Sequence, residues 1–299
     1  MELTWVNKLR IVAVAALGIV VIGTFAWPLA APEDPLLPVR ASRIGLLGTV
    51  VLLGLAFGVG FIAYFIAWPH GRDIGILAVP FGLAVWAGRS GPMRALTQTC
   101  REPHAREALL QSLRFEPFYW LLVVAAGFVG VLVAQRVPSA APQPATPLEK
   151  RSYRNVNTYI NGLIALGVAM LVALFFIGAF AQNLSTSYMA MAAQSAPGQI
   201  VFAVIAAFAI SAFIVKKFLG GSYIWPAMAS ALVLTLGEAV YYGEKVVQQF
   251  AESRPAPFFP HGIFAILPVQ LVALGALGAV LGYWASIRYD YWRKHESGA

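Results

Sequence analysis

Long apolar stretches, separated by short polar or basic segments, are the feature that most constrains this chain. Each is long enough, or nearly long enough, to cross about 30 Å of hydrocarbon as a helix. Strands are not expected, because an open strand leaves its amides unpaired in lipid and the stretches lack strand alternation. The third stretch is the weakest candidate, because it is short and contains Pro80. The eight predicted helices cover residues 10–30, 44–68, 74–90, 117–135, 159–181, 199–216, 224–246 and 262–286.

The composition agrees with a membrane protein. Hydrophobic residues make up 59% of the 299 residues and charged residues 11%, which is too few charges to cover a water-soluble globule. The net charge is +8, but the basic residues lie between apolar stretches and form no stripe with interleaved aromatic residues. Anionic lipid headgroups of the bilayer, and not nucleic acid, are therefore the expected partners of these charges.

The distribution of Lys and Arg predicts the orientation of this all-α integral membrane protein. With the N-terminus inside, the inner segments hold twelve Lys and Arg residues and the outer segments nine. Five of those nine fall in one long outer loop, residues 89–116. The positive-inside rule therefore predicts that both termini are cytoplasmic. A bacterial inner membrane, cytoplasmic or intracytoplasmic, is the expected location.

The two halves of the chain resemble each other. TWVN at 4–7 recurs as TYIN at 158–161, and IGTFA at 22–26 recurs as IGAFA at 177–181. These matches predict two tandem repeats of four helices, joined by a proline-rich basic linker. An even number of helices per repeat gives both halves the same orientation in the membrane. The first predicted repeat covers residues 1–136, the linker covers 137–155 and the second repeat covers 156–299.

Glu238 interrupts the seventh apolar stretch. Counting the helix rise from Trp225 at the inner boundary places Glu238 about 20 Å along the helix, past the bilayer midplane. A carboxylate at that depth needs a partner within the protein. Tyr241, Tyr242 and Lys245 follow on the same helix face, which suits a proton or quinol relay. The alternative is that Glu238 accepts hydrogen bonds that fix the packing of the helices.

Arg89 is the predicted partner of Glu238. In the aligned repeats, Gly88 takes the place of Glu238 and Arg89 follows directly. The third and seventh helices would then carry opposite charges at similar depth. If the two helices meet at the axis between the repeats, Arg89 and Glu238 form an ion pair.

Residues 225–268 resemble the A subunit of particulate methane and ammonia monooxygenases. In WPAMASALVLTLGE, 225–238, a tryptophan precedes a Gly-Glu pair by the interval found in that family, and RPAPFFPHGIFAILP, 254–268, resembles its turn rich in phenylalanine and proline. The stretch AQNLSTSYMAMAAQ lacks the acidic residues and histidines that the family has after its first helix. The resemblance therefore implies a non-catalytic membrane subunit.

A second resemblance lies in GRSGPMRAL, residues 88–96. It is similar to the GSPMRA stretch of the membrane anchor subunits of dimethyl sulfoxide reductase. Those subunits have eight helices in two four-helix halves and pass electrons between quinol and a partner subunit. The resemblance implies a quinol pocket near the outer face, lined by Arg89, Arg94 and Glu238.

Histidine and cysteine give no metal-binding pattern. The four histidines fall outside the predicted hydrocarbon, none is paired with another at i, i+4 or HxH spacing, and the chain has one cysteine. No intrinsic metal or haem is therefore expected. The cofactor stays unknown, and a bound lipid or quinone is the class of ligand that remains.

Tryptophans and glycines near the helices have structural interpretations. Gly54 with Gly58, and Gly278 with Gly282, have GxxxG spacing, which predicts close helix packing. Tryptophans near predicted helix ends are expected to act as interfacial anchors. These anchors are Trp27, Trp68, Trp120, Trp225 and Trp284.

Three classes of function fit these features. The first is a non-catalytic scaffold or anchor subunit of a larger complex, with other membrane subunits as partners, which the long outer loop and the scarcity of reactive residues favour. The second is a quinol-reactive anchor subunit of an oxidoreductase. The third is a transporter of protons or small solutes. Catalysis by the chain alone is not expected, because it has no nucleophile elbow, phosphate-binding loop or carboxylate pair.

Overall fold

The computed structural model is helical, with no strand in the part of the chain that it describes. It describes residues 4–34, 37–99, 109, 112–137, 156–181, 195–241 and 262–296. The α-helices, in chain order, are α1 Trp5–Gly18, α2 Leu46–Ile66, α3 Gly71–Gly75, α4 Ala78–Arg89, α5 Met93–Thr99, α6 Glu116–Ala134, α7 Val156–Phe180, α8 Pro197–Leu219, α9 Ile224–Tyr241 and α10 Pro268–Glu296.

Six helical segments among the described residues are long and apolar enough to cross a membrane. This makes the chain an all-helical protein suited to multiple membrane passes. The segments are Trp5–Phe25, Leu46–Ile66, Glu116–Ala134, Tyr159–Phe180, Pro197–Leu219 and Pro268–Arg293.

Shorter helices occupy the positions of the third and seventh predicted spans. The third is divided into α3 and α4, and the 12 residues of α4 rise only about 18 Å. Pro80 lies in the first turn of α4, where its missing N–H removes no helical hydrogen bond. The seventh predicted span corresponds to α9, whose apolar part, Ile224–Gly237, is shorter than the six segments above. Eight membrane passes, with both termini inside, therefore stay a prediction.

The faces that the helices turn outward are apolar. Leu46 on α2 is 86% exposed, and Leu171 and Phe175 on α7 are 70% and 69% exposed. Soluble proteins rarely expose large contiguous apolar patches, whereas lipid tails solvate such side chains well. These surfaces therefore suit contact with lipid.

In the first half, α2 packs against α6 with its backbone in direct contact. A Cβ atom on Gly60 would overlap the carbonyl of Gly127, and one on Gly130 would overlap the carbonyl of Phe57. By contrast, a Cβ on Gly54 or Gly58 would meet open space. The close packing predicted for Gly54 and Gly58 is therefore wrong, because these residues lie on the opposite face of α2 from Gly60.

The second half repeats this arrangement with α8 and α10. A Cβ on Gly278 would crowd the carbonyl oxygen of Ile205, and one on Gly282 would overlap that of Ala209. The close packing predicted for Gly278 and Gly282 is therefore confirmed. Short residues at such contacts let two helices approach closely, so that van der Waals contact between backbones holds them together.

The halves share part of their pattern of neighbours. The seams α2–α6 and α8–α10 are the most extensive contacts within their halves, while α1 packs on α4 as α7 packs on α9. Ala209 and Gly282 each lie 152 positions after Phe57 and Gly130, which make the same contact in the first seam. The tandem repeat of four helices stays a prediction.

Two hydrogen bonds join the halves, each from a side chain of the second half to a backbone carbonyl of the first half. The Nε2 of Gln270, at the start of α10, lies 3.4 Å from the carbonyl oxygen of Ala87 on α4. The hydroxyl of Thr235 on α9 lies 3.3 Å from the carbonyl oxygen of Arg114, just before α6. Both lie at the end of the bundle where α2, α6 and α10 begin. We call this the outer end, after the predicted orientation, and the opposite one the inner end.

The seam generates a first prediction. We expect Gly282→Ala to lower the free energy of unfolding by about 1–3 kcal/mol, because its Cβ has no space beside the Ala209 carbonyl. The matched control Gly58→Ala should leave stability unchanged or raise it by up to about 1 kcal/mol, through better helix propensity. Unfolding of both variants in detergent micelles measures this difference. Equal stabilities would contradict the tight backbone contact at Gly282.

Candidate functional site

A π-helical turn ends the first helix and faces α4. Residues Ile19–Phe25 continue α1 as a π-helix. The indole Nε1 of Trp86 donates to the carbonyl oxygen of Ile22 at 2.6 Å, and the guanidinium of Arg89 donates to that of Gly23 at 3.1 Å. Single π-turns within helices are often found at functional sites. Here the turn presents two carbonyls to side chains of a neighbouring helix.

Three tryptophans form an aromatic cluster beside this turn. Trp86 packs edge-to-face against Trp27 and Trp120, with ring centroids 6.1 and 5.8 Å apart. Trp86 and Trp120 are fully buried. The Arg89 guanidinium lies 4.3 Å from the centre of the Trp27 ring, within cation–π distance. The end of α1, α4 and α6 are thus held together by indole rings.

A buried carboxylate lies at the start of α6. The side chain of Glu116 is 4% exposed, and its Oε1 lies 3.7 Å from Nε of Arg40, which is 20% exposed. Arg40 also donates to the Ser112 hydroxyl at 2.6 Å. The backbone N–H groups of Ala41 and Ser42 face the carboxylate as well. Glu116 is the first residue of α6, where the helix dipole also favours a negative charge.

These contacts hold a stretch of backbone across the outer end. We call residues 30–34 and 37–44, between the first helix and α2, the outer segment. Its Val39 N–H donates to the Ser90 hydroxyl at 3.3 Å, and that hydroxyl donates to the Trp86 carbonyl oxygen at 2.8 Å. The segment also buries Pro38 and four other apolar side chains. These are Ala30, Val39, Ala41 and Ile44.

Several buried polar atoms in this region make no regular hydrogen bond. Among the described residues they include both carboxylate oxygens of Glu116, Nε1 of Trp120 and Nε of Arg40. The amides facing Glu116 approach it without meeting hydrogen-bond geometry. Glu116 and Trp120 are four residues apart and share one face of α6. A buried acceptor and donor without partners mark a place suited to a water molecule or a small polar ligand.

The site predicted from sequence is only partly described. Arg89 lies in the cluster, and Arg94 is exposed on α5. Glu238 and Tyr241 belong to the backbone of α9, but their side chains lie outside the described residues, as do all atoms of Tyr242 and Lys245. The Arg89–Glu238 ion pair and the relay along α9 therefore stay predictions.

The backbone of Glu238 lies toward the outer end of the bundle. Thr235 is level with Arg114, which precedes the first residue of α6. Glu238 follows three residues later on α9, about 4.5 Å further along the helix. The backbone of Glu238 is therefore near the outer end of the bundle, and its depth in a membrane stays a prediction.

The predicted tryptophan anchors lie in different surroundings. Trp68 is 45% exposed at the end of α2, while Trp27, Trp225 and Trp284 are half-buried. Trp120 is fully buried, so the anchor predicted there is wrong. Its ring lies on the face of α6 that packs against α4, which keeps it away from lipid.

Neither Arg40 nor Glu116 stands out in the sequence as a site residue. The pair Glu116-Pro117 is a helix N-terminus signal, because acidic residues favour the first turn and proline fits there. That signal places the carboxylate at a helix end, but it does not predict burial. Burial comes from the outer segment, whose Arg40 is far from Glu116 along the chain.

Comparison with known proteins adds no assignment. No protein-family model, curated protein or solved structure matches this chain. The resemblances to the monooxygenase A subunit and to the dimethyl sulfoxide reductase anchor stay expectations. Within the described residues, no group of three or more His, Cys, Asp or Glu side chains is arranged to hold a metal ion.

The ion pair generates a second prediction. We expect Arg40→Gln to lower the free energy of unfolding by about 3–5 kcal/mol, because it leaves the Glu116 carboxylate buried and uncompensated. Glu116→Gln should cost less, because the Arg40 side chain that it leaves is 20% exposed and can be hydrated. Thermal unfolding in detergent compares the two variants. A larger loss for Glu116→Gln would contradict this account of the pair.

Proposed function

We propose that this protein is a scaffold or anchor subunit that holds partner proteins of a larger membrane complex at its outer surface. The proposal includes eight membrane-crossing helices, cytoplasmic termini and location in a bacterial inner membrane. The observation that carries it is the outer segment, which is fixed across the end of the bundle instead of extending freely from it.

A fixed segment suits recognition by another protein. A flexible loop loses conformational entropy when it binds, and prior ordering removes much of that cost. Val39 and Ile44 hold the outer segment to the core, and Arg40 ties it to α6. Glu33 and Arg43 are exposed on the same segment. The segment therefore presents charged side chains of both signs from an ordered backbone.

Mild detergent extraction of the tagged protein tests this proposal. We expect partner proteins to be recovered with the wild-type chain at constant stoichiometry. Glu116→Gln should reduce their recovery severalfold, because it weakens the attachment of the outer segment to α6. Asp73→Asn, which changes an exposed carboxylate at the inner end, is the matched control and should retain the partners.

The result can be separated from misfolding. Size-exclusion elution and unfolding temperature of Glu116→Gln show whether the bundle still forms. A wild-type chain that is extracted without any partner would overturn the scaffold proposal. Equal recovery with Glu116→Gln and Asp73→Asn would overturn the role of the outer segment.

A second candidate is a quinol-reactive anchor subunit of an oxidoreductase. It is favoured by the buried Glu116 carboxylate and Trp120 N–H, which make no regular hydrogen bond. A quinol hydroxyl needs an acceptor such as the Glu116 carboxylate, and a quinone carbonyl needs a donor such as the Trp120 N–H. Both groups are buried, and the Trp120 ring packs against the Trp86 ring. Arg89, which the second resemblance implies in a quinol pocket, lies in the same cluster.

Quinone analysis of the purified protein tests this candidate. If the protein has this function, we expect the wild-type chain to be purified with about an equimolar amount of quinone. Glu116→Gln should lose most of that quinone. Asp73→Asn should keep the wild-type amount. Absence of quinone from the wild-type protein, or equal amounts in both variants, would exclude a quinol site at Glu116.

A further inference from the structure

The last helix is longer than its counterpart in the first half, and the additional residues lie at the inner end. Helix α10 has 29 residues and rises about 43 Å, whereas the hydrocarbon is about 30 Å thick. Its counterpart α6 has 19 residues. With the 152-residue offset of the two seams, the end of α6 corresponds to Ser286. Residues 287–296 thus have no counterpart in α6, and we call them the extension.

The extension combines basic and aromatic side chains that face outward. The Arg288 guanidinium lies 4.8 Å from the centre of the Trp292 ring, and Arg293 is exposed. Tyr289 is 47% exposed, and Tyr291 and Trp292 are each 53% exposed. Amphipathic aromatic rings of this kind prefer the headgroup level of a membrane.

The end of α8 adds two lysines to this surface. The ammonium group of Lys217 forms an ion pair with Asp290 and lies 4.3 Å from the centre of the Tyr289 ring. The ammonium group of Lys216 lies 5.0 Å from the centre of the Tyr283 ring. Asp290 is the one acidic residue among the described side chains of the extension. The surface therefore keeps an excess of positive charge.

Lys216 and Lys217 stand where the first half has aromatic residues. The residues 152 positions earlier, Tyr64 and Phe65, take their places at the end of α2. Tyr64 is 1% exposed and packs edge-to-face on Phe65, with ring centroids 5.5 Å apart. The same helix seam therefore forms with aromatic residues at these positions. The two lysines, which also contact α10, therefore add positive charge that the corresponding seam of the first half lacks.

We propose that the extension, together with Lys216 and Lys217, binds the phosphate headgroups of anionic phospholipids in the inner leaflet. The extension emerges directly from a membrane-crossing helix and rises about 9 Å from residue 286 to residue 292. That distance is slightly greater than the polar layer of a bilayer, which is about 5–8 Å thick on each side. Cations at this height meet lipid phosphates, while the exposed rings lie beside the glycerol region. This inference is independent of the outer-end function.

The test uses the full chain, purified in a neutral detergent and titrated with lipid under native mass spectrometry. We expect phosphatidylglycerol to bind and phosphatidylcholine to bind much more weakly. The double variant Arg288→Gln and Arg293→Gln should weaken phosphatidylglycerol binding roughly thirtyfold, from about fivefold for each basic residue at a charged membrane surface. Inorganic phosphate at millimolar concentration should not displace the lipid.

Two further variants make the outcome decisive. Arg43→Gln with Arg114→Gln removes the same charge from exposed positions at the outer end and should retain binding. Arg288→Lys with Arg293→Lys keeps the charge and should also retain it, which separates charge from folding. The proposal would be overturned if the outer-end variant lost phosphatidylglycerol binding to the same extent. Equal binding of phosphatidylglycerol and phosphatidylcholine, or displacement of the lipid by inorganic phosphate, would also overturn it.

Discussion

Direct contact between helix backbones, along α2–α6 and α8–α10, is the constraint on which the rest of this bundle depends. Burial of an apolar side chain gains little when the alternative solvent is lipid, so close packing must hold the helices together. Glycines at Gly60, Gly130 and Gly282 allow that approach, because a Cβ at any of them would meet a carbonyl group. Such contacts also fix the register of the two helices. The register then determines which side chains meet at the outer end.

The two halves use the same packing for different purposes. With the offset of 152 residues between the seams, the places of Glu116 and Trp120 are taken by Pro268 and Val272 in the second half. Neither replacement carries a buried charge or an indole N–H. The polar cluster at the outer end is therefore an addition to a common packing arrangement, as are the lysines at the inner end. Residues that packing does not require are the best candidates for function in a chain built this way.

The sequence predicts the class of this fold better than its site, for physical reasons. Scarcity of charge in long apolar stretches is a property of each segment, so the helices follow from composition alone. Burial of a charged residue depends on distant parts of the chain. Glu238 stands out because its sequence neighbours are apolar, whereas Glu116 lies at a helix end and is buried by Arg40 and the outer segment.

The glycines illustrate the same limit within a single helix. Gly54 and Gly58 have the spacing of a packing motif, but the contact is made by Gly60, on the other side of α2. Periodicity shows which residues share a face. When every face of a helix is apolar, periodicity does not show which one meets protein and which one meets lipid. The hydrophobic pattern that identifies a membrane helix thus removes the signal that would orient it.

Helix α10 connects the two ends of the molecule. It contacts α4 and α6 of the first half as well as α8 and α9 of its own. Gln270 near its first turn bonds to the end of α4 at the outer end, and its extension carries the basic surface at the inner end. A glycine set against a carbonyl leaves little room for sliding, because a shift of one residue brings a side chain into the contact. Helix α10 therefore joins the outer end of the bundle to the basic surface at the inner end through one continuous helix.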